Sequence, residues 1–201
     1  MKSIKTFLIL GQIKLSGMRK LIYGINITLD GCCDHTKFTG GDEIQDYFRE
    51  LLEGVDLIVY GRKTYELMVP FWPEVAETQS MDRAANAFAK VFSGLDRVLV
   101  SRTIKEVNDK KTTLIGDNLE AEILRLKQHP GKAISTGGVE LPARLIELGL
   151  VDEFHMVVHP LMVGSGRRLF AEMQLPANLG LKLMDTQTLA NGCLALRYEK
   201  I

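Results

Sequence analysis

Excess charge is the first thing this chain lacks: its 201 residues carry 25 Lys and Arg against 25 Asp and Glu. A balanced surface gives no electrostatic reason to expect a nucleic acid or an anionic membrane, which leaves a small molecule as the expected partner. Cysteine is nearly missing as well. Cys32 and Cys33 are adjacent and Cys193 is remote, a pattern that makes neither a disulfide framework nor a spaced zinc set and points to a reducing cytoplasm. No apolar run reaches the length of a membrane span. Only 7% of the residues are aromatic, yet 46% are hydrophobic, enough for one domain with a proper core.

The start of the chain reads differently from the rest. Lys2 and Lys5 precede Phe7-Leu-Ile-Leu10, but Gly11, Gln12 and Lys14 interrupt the run before it reaches signal-peptide length. Met18-Arg-Lys-Leu-Ile is a natural beginning, so residues 1–17 are expected to be an upstream extension and residues 18–201 a single domain.

From Met18 onward, short apolar runs alternate with segments of helical periodicity. Leu21–Leu29 reads as a strand closed by Asp30-Gly31, and residues 42–52 carry Ile44, Tyr47, Phe48, Leu51 and Leu52 on one helix face. Val55–Tyr60 is a second strand and Lys63–Met68 a short helix stopped before Pro70. Further helices are expected over Ala84–Phe92, Leu119–Lys127 and from Gly137-Gly138 through Leu148, with strands at Arg97–Val100, Thr113–Ile115 and Ala133–Ser135. The last third is strand-rich and ends in a hairpin around Asn191-Gly192. Repeated strand-helix-strand units predict a mostly parallel three-layer α/β sheet with an antiparallel C-terminal hairpin.

Polar groups gather where three strands end: Gly61-Arg62-Lys63-Thr64, Ser101-Arg102-Thr103 and Thr136-Gly137-Gly138. Ligands of open α/β sheets bind outside the carboxyl ends of the strands, so these segments are expected to converge on one crevice. Gly61 and Gly137-Gly138 permit close backbone approach at helix starts, which suits a pyrophosphate. Arg62 and Lys63 add two cations and Thr64 a hydroxyl, with an ordinary turn bearing a solvated Arg-Lys pair as the other reading of this junction alone, and Ser101 with Arg102 suits a terminal phosphate. The set predicts a dinucleotide, and its cations favour the phosphorylated form.

These segments, taken in order, resemble the dihydrofolate reductase family in its broad sense, including the reductase domains of riboflavin biosynthesis. The likeness runs over roughly residues 18–200. It includes Leu29-Asp30-Gly31, Gly61 through Glu66, Val98 through Thr103, Gly137-Gly138, Gly149 through His155 and Pro160 through Phe170. The resemblance implies a three-layer dihydrofolate reductase-like fold and NADPH as cofactor. It places the adenosine 2′-phosphate near Arg62, Ser101 and Arg102, and the pyrophosphate near Thr64 and Gly137-Gly138. The nicotinamide is expected near Ile25–Ile27, with substrate beside it against Ile27, Asp30, Ile44, Phe48 and Trp72. The activity implied is hydride transfer to a pteridine or pyrimidine, of the 5-amino-6-(5-phosphoribosylamino)uracil reductase kind; the other reading is an NADP(H)-binding regulatory protein without turnover.

Departures from the family narrow the substrate. Dihydrofolate reductases carry a carboxylate on the first helix four residues before a ligand-facing Phe; with Phe48 as that Phe, the position holds Ile44. Asp42, Glu43 and Asp46 are near in sequence but rotated around the helix axis, so dihydrofolate is a poor match. The riboflavin-pathway reductases tend to carry a Lys where this chain has Gly24, and no zinc deaminase signature is present. Asp30 is the one candidate catalytic side chain, with a plain Asp-Gly turn as its other reading. Trp72, expected on a loop between Pro70 and Pro73, either walls the pocket or packs elsewhere. Cys32-Cys33-Asp34-His35 cannot easily wrap one metal ion. Open edge material in Gly149–Phe170 and the final strands predicts a homodimer.

Overall fold

The computed structural model describes residues 17–175 and 177–201. The expected extension at 1–17 lies outside these residues, apart from Gly17. Strand β1 (Leu21–Thr28) opens the domain, and a short 3-10 turn (His35–Lys37) leads to helix α1 (Asp42–Glu53). Strand β2 (Val55–Gly61) runs directly into α2 (Arg62–Met68), followed by α3 (Phe71–Thr78) and α4 (Arg83–Gly94). Then come β3 (Asp96–Val100), β4 (Thr112–Ile115), α5 (Leu119–Gln128), β5 (Ala133–Thr136) and α6 (Glu140–Glu147). Strands β6 (Glu153–His159), β7 (Leu181–Thr188) and β8 (Leu194–Lys200) finish the chain.

The strands form one eight-stranded sheet in the order β4-β3-β2-β5-β1-β6-β8-β7. All pairings from β4 through β6 are parallel, while β8 runs antiparallel to both β6 and β7. The sheet is therefore mixed and mostly parallel, with an antiparallel C-terminal hairpin. Gly192 turns that hairpin at φ +83°, a conformation that a side chain resists.

Strand alternation explains the three layers. Leu57 and Val59 point to a core that also holds Leu21, Tyr23, Ile123 and Leu145 beneath α5 and α6. Their neighbours Ile58 and Tyr60 point the other way, into a second core with Leu52, Phe88 and Phe92 under α1 and α4. Two buried cations are neutralised within the framework. The Lys127 ammonium donates to Leu150 O at 2.8 Å and to Asp152 at 2.6 Å; Arg97 pairs with Asp109 at 3.0 Å and lies over the Phe92 ring.

One element departs from the sequence-based expectation. Phe71–Thr78 is a helix rather than a loop, so Trp72 sits on α3 and is buried against Phe88, ring centroids 4.6 Å apart. Pro73 falls in the first turn, where its missing N–H would have had no helical partner. No helix among the described residues is long and apolar enough to cross a membrane.

Candidate active site

The carboxyl ends of β1, β2 and β5 open into a cavity of about 530 Å³. Its floor is Gly24, Ile25 and Asn26 on β1, and Ser135, Thr136 and the Gly137-Gly138 turn after β5. One wall is the α1 face with Ile44, Gln45 and Phe48; the other is α2 and α3, with Thr64, Leu67 and Trp72. Gly24 is small for a local reason: a Cβ there would stand 3.2 Å from Phe48 Cε1. The helix can therefore press its Phe48 ring onto the strand.

A smaller groove of about 100 Å³ lies on the other side of Thr64, lined by Gly61, Arg62, Lys63, Val139, Glu140 and Arg167. Lys63 Nζ is 2.8 Å and Arg167 3.3 Å from the same Glu140 oxygen, and Arg62 pairs with Glu66 at 3.2 Å. Lys63 first, then Arg167, hold the Glu140 carboxyl below the usual carboxylate range. Thr64 belongs to both linings, so cavity and groove adjoin at this residue.

The structure thus brings together most of the residues singled out from sequence, with changed reasons for several. Ile44, Phe48, Trp72, Thr64, Thr136, Gly137 and Gly138 line the cavity, and Gly61, Arg62 and Lys63 the groove. Gly138 adopts φ +85°, and a Cβ there would meet Thr64 Oγ1 at 2.1 Å; the protein itself, before any ligand, requires the glycine. Gly61 likewise makes room for Leu141 of α6, 3.3 Å from where its Cβ would stand. The Thr136 hydroxyl donates to Val59 O at 2.8 Å and stitches β5 to β2. Helix α2 is only seven residues long, so the side-chain cations, more than a helix dipole, make the groove attractive to an anion.

Ser101 and Arg102 follow β3, whose Val100 pairs with Gly61, but they line neither part of the cleft. The Ser101 hydroxyl accepts from the backbone N–H groups of Thr103 and Ile104 at 3.2 and 3.0 Å, and Arg102 is exposed beside it. Ile27 is also off the cavity lining. Asp30 is an anchor. Its carboxylate accepts from Thr28 Oγ1 and from Gly164 N at 2.9 Å and pairs with Arg168 at 3.0 Å. These bonds, Thr28's first and the Gly164 N–H next, hold it well below the usual carboxylate range. Such a group cannot act as an acid at neutral pH, and it does not line the cavity. Asp46 is likewise committed outside the cavity, to Arg83 at 2.9 Å and to Arg49.

Sequence reasoning missed Arg167, Asn26 and Gln45. The Gly164–Arg168 run was visible as a motif, but only the chain path brings Arg167 to Glu140. Asn26 is a polar residue inside an apolar strand, which is a usable signal. His159 lies 3.4 Å from its Oδ1, under the Phe38 ring at 4.3 Å. Burial lowers the His159 pKa.

The sheet order and the cleft at the strand ends define a three-layer α/β protein of the dihydrofolate reductase-like class. Residues 19–195 match the family described as the RibD C-terminal domain, and the chain belongs to that family. It is 32% identical over 185 residues to the uncharacterized protein YyaP of Bacillus subtilis, covering 90% of this chain and 95% of that one. A putative riboflavin biosynthesis protein from Shewanella superposes with a TM-score of 0.70 at 20% identity, covering 90% of this chain and 99% of the other. Enterococcus faecalis dihydrofolate reductase complexed with NADP(H) superposes at 0.59 and 10% identity over 90% and 96% of the two chains. At these identities the structural likenesses speak to the fold.

Proposed function

We propose that this protein is an NADPH-dependent reductase that transfers hydride to a small nitrogen heterocycle, a pteridine or pyrimidine of the riboflavin-pathway kind. One observation carries the reading: a cationic groove and an apolar, aromatic cavity meet at Thr64. A molecule with a polyanionic end and a flat ring fits that division, and the dinucleotide implied by family membership has this form. Arg62, Lys63 and Arg167 would hold its phosphates, with Glu140 giving up its ion pairs to them. Ser101 and Arg102, one strand further, would meet the 2′-phosphate. Bound NADPH supplies the hydride, and a C=N bond of the heterocycle accepts it while water delivers the proton to nitrogen. The protein orients two rings face to face and excludes bulk water.

A lack of carboxylates favours the regulatory alternative: among the described residues that line the cavity, none is Asp or Glu, and the one imidazole is that of His35. Following NADPH absorbance with candidate pteridines and pyrimidines separates the two. Consumption that depends on the heterocycle supports the reductase; cofactor binding without consumption supports the regulatory protein. We also propose a homodimer, because every residue of the edge strand β7 is exposed, Leu183 and Met184 included. Light scattering at a monomer mass across concentrations contradicts it.

A further inference from the structure

The cavity separates two kinds of heterocycle that the proposed function leaves open: those that carry a phosphate and those that do not. Phosphate needs cations or a dense set of N–H donors, and burying it without them is costly. The cations of this cleft are in the groove on the far side of Thr64. Around the cavity itself, the described lining holds no Lys or Arg. At the mouth, Leu67 is 51% and Phe71 46% exposed, across from the exposed imidazole of His35, so a tail leaving the cavity past Leu67 and Phe71 meets hydrocarbon rather than Lys or Arg.

Two of the polar groups that the cavity offers are matched to a neutral ring. Asn26 and Gln45 both present primary carboxamides. The Gln45 amide has no hydrogen-bond partner among the described residues, and the Asn26 amide is engaged through Oδ1 by His159 Nε2 at 3.4 Å. A carboxamide sets a donor beside an acceptor, the complement of the O=C–N–H edge of a pyrimidine or pteridine lactam. Phe48, Phe71 and Trp72 add flat apolar surface for its faces.

We infer that the substrate is a neutral, unphosphorylated lactam heterocycle, read on its edge by Asn26 and Gln45, and that the cavity rejects a phosphorylated counterpart. The inference rests on the reductase reading and narrows its substrate. It is tested with a matched pair, 5-amino-6-ribosylaminouracil and its 5′-phosphate, titrated into the full chain saturated with NADP+ so that no turnover occurs. Trp72 is the single tryptophan and lines the cavity, so its fluorescence reports occupancy. The unphosphorylated compound is expected to bind on the order of a hundredfold more tightly, the scale set by a charge left without a partner.

Leu67→Lys places a cation at the exposed mouth, where folding tolerates it, and should raise affinity for the 5′-phosphate at least about tenfold. Asn26→Ala combined with Gln45→Ala should weaken the unphosphorylated compound by a similar factor. Equal or tighter binding of the 5′-phosphate by the natural chain overturns the inference, as do binding of neither compound and a Leu67→Lys variant with no gain. Failure of NADP+ itself to bind, measured directly by calorimetry, overturns the reductase reading instead; the two failures are therefore distinguishable.

Discussion

In the groove, Glu140 stands 2.8 Å from Lys63 and 3.3 Å from Arg167, whereas across Thr64 the cavity is walled by Ile44, Phe48 and Trp72. The groove holds its charges already paired and half exposed to water. Exchanging the Glu140 carboxylate for a phosphate there costs little, and high salt weakens it. The described lining of the cavity holds no Lys, Arg, Asp or Glu, so it would discriminate by what it fails to satisfy. On the proposed reading two neighbouring regions divide the work: one would provide affinity for an anion of any shape, and the other would select the shape and charge of a ring.

The largest expected effect concerns dihydrofolate. Ile44 is buried on the cavity wall, where a dihydrofolate reductase would place its acid. Turnover of dihydrofolate is expected to be at least about a hundredfold below that of a dedicated enzyme, because a positioned proton donor contributes ~10²–10⁴-fold. Steady-state kinetics decide it. Efficient turnover that disappears in Asp46→Asn would show that a displaced carboxylate serves the cavity after all.

The hinge between the regions comes next. Gly138→Ala combines a positive φ with the Thr64 contact, and the urea midpoint should fall by the equivalent of about 1–3 kcal/mol. Adding Thr64→Ala should recover part of the loss. An unchanged midpoint in the single variant would mean that the glycine serves the ligand alone.

A smaller effect is expected behind the cavity wall. Tyr47, next to Phe48 on α1, bonds His155 Nδ1 at 2.8 Å, and His155 Nε2 bonds buried Glu153 at 2.8 Å. His155 first, then Lys20, hold the Glu153 carboxyl down to about 2 from an ordinary 4.5. Because the folded value is depressed, this stabilisation is present above about 4.5 and disappears as the pH falls toward 2. It amounts to roughly 2–3 kcal/mol. Glu153→Gln should flatten the fall in stability between about pH 5 and pH 2. A variant with the natural acid dependence would assign that loss to other carboxylates.

Much of this was legible in the sequence because local and global signals agree. The Ile44-Phe48-Leu51-Leu52 face, the strand ending at Gly61 and the Asn191-Gly192 hairpin each state their structure in a few residues. Helix α3 was hidden because Pro70 and Pro73 read as breakers, although a proline in a first turn breaks nothing. The glycines were legible as positions, but some of their contacts were not: Gly138 accommodates Thr64, and Gly24 accommodates Phe48, contacts that only the folded chain creates. Asp30 read as chemistry, yet its partners Gly164 and Arg168 are more than a hundred residues away. Arg167 stayed invisible for the same reason.

The comparison between groove and cavity stands on the groove accepting a phosphorylated dinucleotide. The most direct test is a paired titration of the full chain with NADPH and NADH at fixed low salt, read by quenching of Trp72. The account predicts at least about tenfold tighter binding of NADPH, the worth of one charge-assisted contact to the 2′-phosphate, with the advantage shrinking as salt rises. Equal dissociation constants for the two cofactors would contradict it.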